Sequence, residues 1–146
     1  MKHLKFYHIP IAYMLLYVVA LLGTGVWLFL LSQGLGSKDI ISTLSHIINA
    51  PEAKSLHNFI EVATPHMFAI GILIFVVAHF MLFSTKVSKT FSLRISISLF
   101  IASLLNIVAY LFIIFGVVVS GWVKLLALGV FVVLFFVLLG MVAFSL

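Results

Sequence analysis

Four long apolar runs dominate this sequence and constrain its fold more than any other feature. They cover residues of about 9–31, 65–84, 95–119 and 124–145, and a helix crosses a bilayer with about 20 apolar residues. Hydrophobic residues make up 65% of the 146-residue chain, whereas soluble domains have roughly 45–50%. Only helices and closed barrels satisfy the backbone in lipid. We therefore predict an all-α fold, an integral membrane four-helix bundle forming a single transmembrane domain over 1–146.

Basic residues at the ends of these runs indicate the topology. Lys2 and Lys5 precede the first run, and Lys86, Lys89 and Arg94 lie between the second and the third. Short cytoplasmic loops carry an excess of Lys and Arg, and these two segments lie on one side of the membrane. We predict a multi-pass protein of a bacterial-type inner (plasma) membrane with both termini cytoplasmic. The net charge of +5 is then a topology signal, and no nucleic acid partner is expected.

The external segment between spans one and two, residues 32–64, has helical patterning of its own. Its apolar residues recur at the spacing of one helix face: Ile40, Ile41, Leu44, Ile47 and Ile48. This pattern predicts a short external amphipathic helix lying on the membrane face. A second helix with Leu56 and Ile60 on one stripe should lead into span two, with a break or kink at Pro65.

Histidines are the main candidates for chemistry, because all six fall within the first 79 residues and the chain has no cysteine. Ionisable groups inside a bilayer are expensive and usually functional. His79, inside span two, is a candidate axial ligand of haem b or another metal through a neutral imidazole nitrogen. The alternative is a structural histidine that forms a hydrogen bond with a neighbouring helix.

Two further histidines are candidate cofactor ligands. His66 lies near the outer end of span two, and His8 begins span one at about the level of His79. For both histidines, the alternative is a structural role at the membrane–water interface. His66 and His79 are thirteen positions apart, which on an ideal helix means about 140° around it and roughly 20 Å along it. They cannot bind one metal ion, so they would serve two separate sites, or a kink at Pro65 would change the direction in which His66 faces.

A second hypothesis is an outward-facing site for a Cu, Zn or Fe ion. Its ligands would be His46, His57, Glu61 and His66, since His and carboxylate side chains at helical spacing bind such metals. A solvated helix face beside the lipid headgroups explains the same residues.

Polar residues on two spans indicate a polar bundle interior. On span three, the residues within about 80° of one another are Ser96, Ser103, Asn106 and Tyr110. Span one contributes a comparable face with Tyr13, Tyr17 and Thr24. These groups are expected to form hydrogen bonds with each other, with haem propionates or with a quinone.

The segments Pro65-His66-Met67-Phe68 and Ala78-His79-Phe80 resemble small bacterial four-helix membrane proteins of the cytochrome b type, in which histidines at the two ends of a span hold haem. The resemblance implies a haem b electron-transfer protein, or a subunit of a respiratory complex that is not an enzyme on its own. Its partners would be the lipid bilayer and other membrane subunits or further copies of itself. The alternatives are the metal-handling protein described above and a non-catalytic accessory membrane subunit.

Overall fold

Four long apolar helices and one short amphipathic helix form the fold in the computed structural model, which describes residues 7–36, 39–51, 55–84 and 86–145. The helices are α1 (His8–Ser32), α2 (Ile40–Asn49), α3 (Leu56–Phe80), α4 (Lys89–Ile114) and α5 (Trp122–Ser145), and a 3₁₀ turn, Met81–Phe83, follows α3. All except α2 are long and apolar enough to cross a membrane. The predicted all-α membrane bundle is confirmed, and α2 lies between spans one and two as expected. Lys2 and Lys5 lie outside the described residues.

The third helix begins earlier than the sequence predicts. Ser55 is its N-cap, because the Ser55 side chain accepts a hydrogen bond from the Asn58 backbone N–H at 3.3 Å. The helix then continues through Pro65 to Phe80, so it begins nine residues before the predicted span and is not broken at Pro65. Proline lacks an N–H and frees only the carbonyl four residues earlier, that of Glu61, on an exposed stretch near the helix start.

The fourth helix ends earlier than the apolar run of residues 95–119. Gly116 has a φ of 67°, and its N–H donates to the Ile113 carbonyl at 3.1 Å. The Val117 N–H donates to the Phe112 carbonyl at 2.9 Å, which completes a Schellman motif. The predicted end near residue 119 is therefore wrong, and residues 115–121 form the connection to α5.

The interior of the bundle is filled with apolar side chains from all four long helices. Leu99 of α4 and Phe135 and Leu138 of α5 are fully buried, as is Ile74 of α3. The adjacent helices α4 and α5 share the most extensive contact, while α1 packs mainly against α5 and contributes Val18 to the core. Such packing leaves no room in the bundle for a large planar ligand.

Helix α2 is held by backbone contacts at the end of the bundle where α4 and α5 are connected, which we call the α2 end. The Ser120 hydroxyl and the Gly121 N–H both donate to the Ile48 carbonyl, each at 3.1 Å. Thr43 and Ile47 of α2 are buried. A Cβ atom at Gly121 would overlap the Ile47 carbonyl oxygen, so only glycine allows this close approach.

We expect Gly121→Ala to destabilise the fold by about 1–3 kcal/mol, as overpacking does when backbone must move. Thermal unfolding of the detergent-solubilised protein measures the effect. The matched control is Gly129→Ala on α5, the helix that follows Gly121, where a Cβ would have no neighbour within 4 Å. Equal melting temperatures for the two variants would contradict the close docking of α2.

Candidate functional site

His79 lies on the face of α3 that points away from the bundle core. The buried residues of α3 are Ala63, Ile74 and Val77, and His79 itself is exposed. At 100° per residue, the residues that share its direction within about 40° are His57, Glu61, Pro65, Phe68, Ile72 and Phe75. We call these residues, together with His79, the outer face of α3. Most of this face is large and apolar, with Phe68 73% and Phe75 64% exposed.

Two aromatic rings flank the His79 imidazole. The Phe75 ring centroid lies 6.0 Å from it at an interplanar angle of 32°, and the Phe83 ring lies 5.7 Å away, edge-on at 72°. Within the part of the chain that the structure describes, His79 forms no hydrogen bond. A neutral imidazole keeps one nitrogen lone pair that can bind a metal. The site therefore offers an oriented, uncommitted nitrogen ligand inside an apolar span.

His66 is also exposed, but one of its ring nitrogens already forms a hydrogen bond. The His66 Nδ1–H donates to the Val62 carbonyl at 2.8 Å. This bond leaves the lone pair on Nε2, and ligating histidines are commonly oriented by such a bond to a backbone carbonyl. His66 is nearer the α2 end than His79, and the continuous helix α3 keeps the two apart by roughly 20 Å. They are two separate positions, as the sequence predicts.

The other candidate histidines do not converge on His79. His8 is half-buried in the first turn of α1, a helix that packs mainly against α5, whereas His79 faces away from the core. Among the described residues, no three His, Asp or Glu side chains lie close enough to hold a metal ion. The predicted set of His46, His57, Glu61 and His66 is therefore not brought together.

The predicted polar interior is only partly present. Ser103 and Asn106 of α4 are buried, where the sequence predicts them, and Tyr110 is half-buried with its ring stacked on Phe59 at 5.9 Å. The prediction for Tyr13 and Tyr17 is wrong, since they are 70% and 69% exposed. The reason is that α1 turns the opposite face toward the core.

Lys124 is a half-buried cation whose contacts the sequence patterns did not predict. Its ammonium group donates to the backbone carbonyl of Asn106 at 2.7 Å and to Asn106 Oδ1 at 3.0 Å. It also lies 5.8 Å from the ring centroid of Phe29, a favourable cation–π distance. Lys124 thereby links α4, α5 and α1. The signal in the sequence was the short connection between the third and fourth apolar runs, because it places the end of α4 beside the start of α5.

The four spans define a multi-pass helical membrane protein in contact with the lipid bilayer. A family model described as a transmembrane helical domain matches residues 32–146, and the chain belongs to this family. The match begins at the last residue of α1, so it covers α2 to α5. No curated protein matches the chain, and neither does any solved structure.

Proposed function

We propose that this membrane protein is a haem b-binding electron-transfer subunit of a respiratory complex, with His79 as an axial ligand. The proposal depends on one observation: an imidazole within an apolar span faces away from the core, lies between two aromatic rings and has no hydrogen bond to any described residue. Such a group is costly in hydrocarbon without a partner. A metal bond satisfies the lone pair of the imidazole and so reduces that penalty.

The packing of the chain favours a haem on the outer face of α3 over one in the bundle. Fully buried side chains such as Ile74 and Phe135 occupy the interior. The outer face instead presents exposed aromatic and aliphatic side chains, Phe68, Ile72 and Phe75, which suit a flat apolar macrocycle. With no cysteine in the chain, a haem would be held without thioether bonds, and when bound it would carry one electron at a time.

The residues of the chain itself would then have distinct roles. His79 donates a nitrogen lone pair, and the Phe75 and Phe83 rings restrict rotation of its imidazole. The apolar surroundings would exclude water from a bound metal and so influence its reduction potential. These roles concern binding and tuning, as expected for a subunit that is not an enzyme on its own.

A reduced-minus-oxidised absorption spectrum of the purified protein, expressed in a haem-replete host, tests the proposal. We expect the bands of a b-type haem. A preparation without any haem band would overturn the proposal and favour an accessory subunit in which another protein chain contacts His79. Elemental analysis of the same sample detects a bound Cu, Zn or Fe ion without porphyrin, the result expected of a metal-handling protein.

We further propose that the protein lies in a bacterial-type inner membrane with both termini cytoplasmic. Single cysteines can test this topology without background, because the chain has none. Ser45 on α2 and Ser88 before α4 are both exposed and form a matched pair. We expect Ser45→Cys to react with a membrane-impermeant thiol reagent in intact cells, whereas Ser88→Cys reacts only after lysis. The reverse labelling pattern would invert the orientation.

A further inference from the structure

We propose that the haem site is shared between two copies of this chain, with His79 of a second copy as the other axial ligand. The two copies would pack through the outer faces of α3, with the macrocycle between them. This inference rests on the proposed function, because it names the partner that completes the same site.

One imidazole leaves an axial position of a haem iron open. A second imidazole on the opposite side would place the two ligating nitrogens about 4 Å apart, since metal–imidazole bonds are about 2 Å long. A six-coordinate haem would therefore need its second ligand opposite His79, outside the bundle and at about the same depth in the membrane.

No other described histidine of the same chain meets that requirement. His66 is roughly 20 Å away along α3, and His57 is farther still, in the first turn of that helix. His46 lies on α2, at the opposite end of the bundle from His79. His8 is half-buried on α1, on the core side of a helix that packs mainly against α5. His3 lies outside the described residues.

A second copy supplies the missing ligand by symmetry. Two copies inserted in the same orientation are related by a two-fold axis along the membrane normal, and this axis brings each residue of the outer face opposite its own equivalent. The two His79 residues then lie at the same depth in the membrane. A different membrane protein would need a histidine at that depth by coincidence, so the geometry favours the second copy.

The remainder of the outer face is compatible with this pairing. Phe68, Ile72 and Phe75 are large and exposed, and they would pack on the macrocycle and on each other. Glu61 lies on the same line five helical turns from His79, roughly 27 Å away, and it is exposed near the helix start. In the two-fold dimer, the two Glu61 carboxylates would therefore lie at the far end of the interface, remote from the haem.

Crosslinking and stoichiometry test the shared site. In membranes, Ile72→Cys should give a covalent dimer with a short bismaleimide, because Ile72 is on the outer face of α3. The matched control is Val133→Cys on α5, which is 62% exposed but away from that face, and it should remain monomeric. The purified wild-type protein should contain one haem for every two chains, with the low-spin spectrum of two imidazole ligands.

A mixed dimer gives the decisive comparison. A wild-type chain and a His79→Ala chain carrying different tags are co-expressed and purified through both tags. We expect this dimer to lose its haem or to bind it in a five-coordinate, high-spin form. A mixed dimer with the unchanged low-spin spectrum would overturn the shared site. One haem per monomeric chain would also overturn it while leaving the proposed function intact, whereas wild-type protein without haem would overturn both.

Discussion

The His79→Ala protein is expected to lose its haem absorption bands completely while still inserting into the membrane. Insertion depends on the four apolar helices, and His79 contributes nothing to the core, because it is exposed on the outer face of α3. Loss of the ligand nitrogen removes the group that would hold the iron, and the other ligand-type residues of this face, Glu61 and His57, are roughly 27 and 33 Å away along the helix. The spectrum of the purified protein measures the effect, and its yield from the membrane fraction measures insertion.

Two further variants make this result specific to ligation. His57→Ala, in the first turn of the same helix, should keep the wild-type spectrum. His79→Gly should leave a space beside Phe75 and Phe83 that free imidazole can enter, so added imidazole should restore part of the low-spin bands. If His79→Ala retained its full haem content, the ligand would lie elsewhere, and His66 would be the next variant to test.

The second large effect is expected for Asn106→Leu, which should lower the free energy of unfolding by about 2–3 kcal/mol. Asn106 Oδ1 accepts a hydrogen bond from the Lys124 ammonium at 3.0 Å, and hydrogen bonds to charged groups contribute about 1.5–3 kcal/mol. The leucine cannot replace this bond, so a cation inside the bundle loses one of its two acceptors. Denaturant titration of the detergent-solubilised protein measures the change.

A double-mutant cycle separates this pair from general effects on packing. Lys124→Met removes the cation, so the double variant Asn106→Leu with Lys124→Met should be more stable than the sum of the single changes predicts. Ser103→Ala is the matched control on α4, because the Ser103 hydroxyl donates only to the Phe100 carbonyl of its own helix at 2.9 Å. Additive single effects would contradict a direct interaction between Asn106 and Lys124.

The number and type of the helices could be predicted from the sequence, but their ends could not. Long apolar runs identify the spans because the bilayer requires them. Run length alone does not show where a helix stops, however. The local signals at Ser55 and Gly116, an N-cap and a Schellman glycine, determine the actual ends of α3 and α4. At both positions the local capping interaction, and not the boundary of the apolar run, determines where the helix ends.

The direction in which each helix faces was harder to predict, and the reason is physical. In a soluble bundle the buried stripe is apolar and the exposed one polar. In lipid both are apolar, so Phe75 on the outer face of α3 and Ile74 in the core look alike in the sequence. The hydroxyls of Tyr13 and Tyr17 suggested an interior position, but a tyrosine ring is apolar enough to face outward, whereas the amide of Asn106 correctly indicated the interior of the bundle.

The hydrogen bond from His66 to Val62 has a consequence for any ligand that approaches the α2 end of α3. Because Nδ1 carries its hydrogen and donates it to the carbonyl, the exposed imidazole can bind a metal or accept a hydrogen bond only through Nε2. The same bond holds the ring against the backbone one turn earlier in the helix. A ligand would therefore meet an imidazole whose direction is already set, next to Pro65.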